Sequence, residues 1–192
     1  TLSGTAPVTA RNVVLLGDAS AFTLIVVSPA ASGELGRLHV VGNLELSHIH
    51  LVFDRATHGV KSATSLVQVD QGTLKLANSS VTVLGSGDGS VTALTLQASR
   101  TPQRLELRQS VIRGQMEAGV ELRTSAVDAV IDQSLLAVSQ GSVVRFSGRS
   151  GEAPPKTTSR WLRCFWSTLY SPNCLFDFSP ESGLSEPPNT EV

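Results

Sequence analysis

Apolar residues alternate along "LELRQSVI" (105–112) at Leu105 and Leu107, stop at Gln109 and Ser110, and resume at Val111 and Ile112. A period of two on both sides of the break is that of a strand with one buried face. The stretch recurs as "LELSHIHL" from Leu44, "LKLANSSV" from Leu74, "AVIDQSLL" from Ala129 and "LRCFWSTL" from Leu162. With the second apolar residue as anchor the series is Leu46, Leu76, Leu107, Ile131 and Cys164, with spacings of 30, 31, 24 and 33 residues. Self-similarity at periods of roughly 20–50 residues is the signature of a solenoid.

The columns of this alignment are more informative than its spacing. One holds His48, Asn78, Gln109, Gln133 and Trp166, and the next holds Ile49, Ser79, Ser110, Ser134 and Ser167. An amide followed by a serine in three successive copies marks a corner, where the chain bends and neighbouring copies hydrogen-bond in a ladder. The expected ladder residues are therefore Asn78, Ser79, Gln109, Ser110, Gln133 and Ser134. Between copies lie short alternating segments: 65–70, 92–97, 119–123, 142–147 and 174–178. Each period thus carries about three short strands, one coil of a parallel β-helix whose equivalent strands stack about 4.8 Å apart. Outward positions fit the stacking, since Glu45, Lys75 and Glu106 alternate in sign and Arg108 falls over Asp132. A sandwich of antiparallel strands explains short strands and turns equally well, but not columns that recur five times. The expectation is an all-β, single-stranded, right-handed parallel β-helix of about six coils over residues 1–178. Residues 179–192, "SPESGLSEPPNTEV", lack periodicity and read as a disordered tail or linker.

Composition narrows the function. Charged residues are 16% of the 192, aromatics 5%, and the formal net charge is −1. Without a basic stripe, nucleic acid and anionic membrane surfaces are poor partners. No apolar run approaches the ~18 residues of a membrane span, and "FTLIVV" (22–27) has no basic region before it, so it is no signal peptide. The sole methionine is Met116, which suggests a domain of a longer chain.

From about residue 38 to 178, the repeated "LxLxNS" corners resemble those of right-handed parallel β-helix proteins of the pectate-lyase-like superfamily. The chain also looks like β-helix modules inside large bacterial multidomain proteins, some surface-exposed and some attached to signalling domains. Membership would imply a long groove-bearing surface, often used on polysaccharides, although fold alone does not transfer activity.

Catalysis on polysaccharides needs carboxylates converging on one face, with Arg or Lys near the scissile sugar. Of the aspartates Asp18, Asp54, Asp70, Asp88, Asp128, Asp132 and Asp177, only Asp128 and Asp132 are close in sequence. The paired-aspartate and Gly-His-Gly signatures of polygalacturonase-type enzymes are missing, so no catalytic residue is assigned. "SHIH" (47–50) offers two histidines at strand spacing, too few for a metal site. His48 is expected to continue the ladder and His50 to be solvated. "GSGDGS" (85–90) reads as a flexible turn. Cys164 and Cys174 read as buried thiols, with a disulfide between them as the alternative in an exported chain. No metal or cofactor is expected.

The remaining candidates cluster in "RWLRCFWSTLY" (160–170). Arg160, Trp161, Arg163, Trp166 and Tyr170 would suit sugar stacking or a protein contact, while the blander role is to cap the open end of the solenoid. The insertion before them, 148–160, is the first place to look for a binding site. The function expected is a non-catalytic module of a larger protein, a rigid spacer or an adhesion surface, partnered by other domains of its chain, a polysaccharide or a protein. The competing class is a carbohydrate-binding or polysaccharide-cleaving module. Cell surface and cytoplasm fit equally well.

Overall fold

The structure is a computed structural model, and it describes residues 8–21, 23–27, 38–55, 64–86, 89–97, 101–124, 126–147 and 159–179. Among these the chain forms strands and no helix. They follow one another as β1 (Val8–Leu16), β2 (Thr23–Val27), β3 (Leu38–Ser47), β4 (Ile49–Asp54), β5 (Thr64–Asp70), β6 (Thr73–Ala77), β7 (Ser80–Leu84) and β8 (Val91–Gln97). Then come β9 (Gln103–Arg108), β10 (Val111–Gly114), β11 (Ala118–Leu122), β12 (Val127–Asp132), β13 (Leu135–Val138), β14 (Ser142–Ser147), β15 (Arg160–Phe165), β16 (Thr168–Tyr170) and β17 (Cys174–Ser179). Most of the tail, most of the insertion, His58 and Asp88 lie outside the described residues.

Strands pair with their equivalents one period away, and the pairing is parallel throughout. That excludes the antiparallel sandwich and makes the fold a parallel β-helix. A first face stacks β1, β3, β6, β9, β12 and β15, and a second stacks β2, β4, β7, β10, β13 and β16. A third face stacks β5, β8, β11, β14 and β17. β3 joins the third face to the first: Leu38–Val41 pair with β5, and Leu44–Ser47 pair with β6. Gly42, at φ 136, lies between the two segments.

The aligned columns are real neighbours. Leu46 is the Cα partner of Leu76, Leu76 of Leu107, Leu107 of Ile131 and Ile131 of Cys164. Leu15 pairs with Leu46 and adds a level that the sequence pattern did not reveal. Inward side chains from all three faces make one core, with Leu44, Leu74, Leu105, Val67, Leu94 and Val120 among its fully buried members. The number of coils differs from expectation. Four turns, β3–β4–β5 to β12–β13–β14, have every strand paired on both sides, whereas β1–β2 and β15–β16–β17 are end turns with one neighbour per strand.

The corner between the first and second faces is built as the columns suggested, but with its labour divided differently. His48, Asn78, Gln109, Gln133 and Trp166 all have positive φ, 55, 48, 49, 48 and 44°. Left-handed backbone costs most L-residues about 1–2 kcal/mol and is tolerated best by Gly and Asn. The amide column is thus chosen for its backbone. Only one of its expected side-chain rungs forms, from Gln109 Nε2 to Gln133 Oε1 at 3.2 Å. The continuous ladder belongs to the serines, buried at 79, 110 and 134 and half-buried at 167. Ile49 N donates to Ser79 Oγ (3.2 Å), Ser79 N to Ser110 Oγ (3.4 Å), Ser110 N to Ser134 Oγ (3.1 Å) and Ser134 N to Ser167 Oγ (3.1 Å). Each hydroxyl in turn donates to the carbonyl two residues before it, at 2.8 Å for Ser79, Ser110, Ser134 and Ser167. The backbone stays paired through the bend, with Asn78 N on Arg108 O and Gln109 N on Asp132 O.

Outward charges follow the expectation in part. Lys75 Nζ lies 2.8 Å from Glu45 Oε1. Arg108 is the Cα partner of Asp132 but reaches sideways to Glu106 Oε2 at 3.6 Å, and Arg104 Nε lies 2.7 Å from the other oxygen of Glu106. A long side chain finds the carboxylate two residues back on its own strand as easily as one on the next turn. Arg55, which carried no signal in the sequence, is buried and spans turns by donating to Gly89 O (2.7 Å) and Gln115 O (2.8 Å).

Two substitutions separate the parts of the corner. Asn78→Gly should leave the urea midpoint unchanged or raise it, whereas Asn78→Val should cost about 1–2 kcal/mol. Ser110→Ala removes a buried acceptor from Ser79 N and a donor to Arg108 O, and should cost about 1–3 kcal/mol in the same unfolding measurement.

Candidate functional site

The sequence placed its candidates on β15 and β16, and these strands form the last turn. Trp161, Arg163 and Phe165 alternate with inward Leu162 and Cys164, so they point outward from the first face. Trp166 occupies the left-handed corner and is 87% exposed, an uncommon backbone for an aromatic residue. Tyr170 points outward from the second face. The three aromatics are therefore spread over two faces and the edge between them.

The two arginines are held within the fold. Arg160 Nε donates to Thr124 O at 3.0 Å, its guanidinium lies 6.0 Å from the Phe146 ring centroid, and burial pushes its pKa below the usual arginine value. Phe146 stacks in turn on Phe178, with centroids 5.1 Å apart. Arg163 Nη2 lies 2.5 Å from Asp128 Oδ1 on the turn before. Leu162 is buried, and Cys164, Leu169 and Phe176 are partly buried and pack against the core. Burial raises the Cys164 pKa; Cys174 is exposed, contrary to the expectation of two buried thiols.

A second polar constellation carried no signal in the sequence. One outward column on the third face runs His39, Gln68, Thr95, Glu121, Arg145, Asp177. Its residue types differ at every level, so no repeat announces it. At one end His39 Nε2 lies 2.7 Å from Asp70 Oδ2, and Gln68 Nε2 donates to Asp70 Oδ1 at 2.8 Å. In the middle Glu121 is buried, accepting from Ser147 Oγ (3.0 Å) and pairing with Arg123 Nη2 (2.9 Å). At the other end Arg145 clamps three turns together. Its Nη1 lies 2.7 Å from Glu117 Oε1 and its Nε 2.9 Å from Asp177 Oδ2. Burial works against the charged guanidinium, but Glu117 and then Asp177 outweigh it and hold the pKa above the usual arginine value.

Of these, Gln68, Thr95, Glu117, Glu121, Arg123 and Arg145 line a cleft of about 160 Å³ with Thr64, Ser65, Ser90 and Thr92. Thr95 lies in its wall, 2% exposed, and its Oγ1 has no hydrogen-bond partner in the structure. Buried hydroxyls without a partner are uncommon, and leaving one unpaired costs about 1–3 kcal/mol. Among the described residues no three His, Cys, Asp or Glu side chains are grouped to hold a metal ion. The histidines of "SHIH" separate, His48 to the corner and His50 to Ser80, with Nδ1 2.8 Å from Oγ. No helix of the described residues is long and apolar enough to cross a membrane. Comparison with protein-family models, curated proteins and solved structures finds no match to this chain.

Arg145→Ala should release β17 first. Amides of Cys174–Ser179 are expected to exchange hydrogen faster while those of β9 and β12 keep their protection, with a global loss of about 1–3 kcal/mol.

Proposed function

We propose that this chain is a non-catalytic module of a larger multidomain protein, with a β-helix of the pectate-lyase-like kind, acting as a rigid spacer that presents an interaction surface. The observation that carries this reading is how its charged groups are used. Glu45 pairs with Lys75, Asp128 with Arg163, and Arg145 with Glu117 and Asp177, all between turns. Individually such pairs add little. Together with a serine ladder along one edge they tie each turn to the next, which suits a rod of fixed length. The αL–serine corner supports the kinship of fold.

The ends support a module joined to neighbours. Every large hydrophobic residue that is exposed among the described residues, except Leu84 and Leu135, belongs to the first or last turn. Among the equivalent outward positions of inner turns, the first face has Glu45, Lys75, Glu106 and Arg108, and the second has smaller or polar residues such as Ser80, Thr82 and Ala137. Flanking domains of the same protein are the partners that suit this distribution.

The second face supplies a ruler. Leu24, His50, Ser80, Val111, Leu135 and Thr168 are successive outward Cα partners. Five steps of ~4.8 Å put Leu24 and Thr168 roughly 24 Å apart. Spin labels at Leu24→Cys and Thr168→Cys, with Cys164→Ala and Cys174→Ser, should give one narrow distance distribution in pulsed electron–electron resonance. A broad one would remove the rigid spacer. Incubation with plant and bacterial polysaccharides, with and without calcium, should release no new sugar ends; release would overturn the non-catalytic reading.

A further inference from the structure

We infer that the second face of the rod docks a second copy of this chain, sheet against sheet. The inference rests on reading the module as one that presents an interaction surface, and it names the face and its partner. Three observations carry it.

The first is where apolar surface is left uncovered. Outside the first and last turns, the large hydrophobics exposed among the described residues are Leu84 and Leu135, and both point outward from the second face. The patch continues along the rod. Beside the column from Leu24 to Thr168 stands a second outward column of Val26, Val52, Thr82, Arg113, Ala137 and Tyr170.

The second is charge. The pairs of Glu45 with Lys75, Asp128 with Arg163, and Arg145 with Glu117 and Asp177 stand on the first and third faces. In the two columns of the second face the one permanent charge is Arg113. Its Nε donates to Thr82 Oγ1 on the turn before, at 3.3 Å, which lays the side chain along the sheet. Interface cores are depleted in charge but accept Arg and Tyr. A face with so little charge to match is complementary to another of its kind.

The third is spacing and size. Outward rows repeat every ~4.8 Å along the rod, and packed sheets interdigitate such rows about 10 Å apart. A partner must carry the same repeat over six strands, and a second copy of this face does. Six strands with about 15 Å of length each make a plane of roughly 400 Å². Two such planes pressed together remove about 1,000 Å² of accessible surface, the lower end for a specific interface. The expected dissociation constant is therefore on the order of 10–100 μM. Both copies use the same patch, so the contact closes as a dimer.

The test is analytical ultracentrifugation of the whole chain from about 1 μM to about 1 mM. Monomer and dimer should interconvert with concentration, without larger species. Leu135→Glu and Leu84→Glu change side chains that are already exposed in one copy, so the urea midpoint should hold. Each should raise the dissociation constant about ten-fold or more, because the dimer would bury an unpaired carboxylate. Phe165→Glu and Trp166→Asn, on the last turn and off this face, should leave it unchanged. A chain that stays monomeric at the highest concentration overturns the inference. So does association that survives both Leu135→Glu and Leu84→Glu, association that either last-turn variant abolishes, or growth beyond the dimer. The spacer reading is tested apart from this one: the doubly labelled chain diluted into unlabelled protein reports the distance within a single copy, whether or not copies associate.

Discussion

A chain that stacks on itself must offer every backbone N–H and C=O at the same height on each turn, and the sharp bend between the first and second faces is where that is hardest. The bend needs left-handed φ at one residue, and it points the following N–H away from the strand ladder. Left unpaired in the interior, such a group would cost about 1–3 kcal/mol per turn. The next residue supplies the remedy. Ser79, Ser110, Ser134 and Ser167 each accept the N–H of the turn before and return a proton to a carbonyl two residues back on their own turn. Once this corner is satisfied, the apolar columns on either side fall into register, because a slip by one residue would turn Leu46, Leu76 and Leu107 outward.

That dependence explains what the sequence made legible. The corner requires particular residue types at a fixed place in each turn, so it repeats, and the repeat exposes the fold. Asn78 and Gln109 misled only about mechanism: their value is in the backbone, and the hydrogen-bonded ladder runs one residue later. The first turn is missing from the aligned repeats for the same reason in reverse. Its corner has Gly17 and Asp18 where later turns have an amide and a serine, and its outward Val14 and Leu16 blur the alternation. The end turns also account for the gap between about six coils and four turns stacked on both sides.

The polar column of the third face was illegible because nothing requires it to repeat. His39, Gln68, Thr95, Glu121, Arg145 and Asp177 share a direction and no chemistry, and partners such as Glu117 and Ser147 come from elsewhere along the chain. Only stacking brings them together. By contrast "RWLRCFWSTLY" stood out by composition alone. The structure shows composition to be a poor guide to convergence there, since Arg160 and Arg163 are held by Thr124, Phe146 and Asp128 while the aromatics face different ways.

The two kinds of column imply a division of labour. Inward columns and the serine edge are constrained by every neighbour, so they fix length and straightness and leave little freedom for new chemistry. Outward columns are constrained only by the pairings they make. Some of those here are local, such as Arg104 with Glu106, and others, such as Lys75 with Glu45, join one turn to the next. Arg145 differs. It reaches the backbone and side chain of Glu117 and the side chain of Asp177, so three turns hold one guanidinium in place. A polar group fixed in that way cannot swing to meet a ligand, and a ligand that meets it need not order it. The cleft beside it is therefore held in shape by the same inter-turn pairing that ties neighbouring turns together.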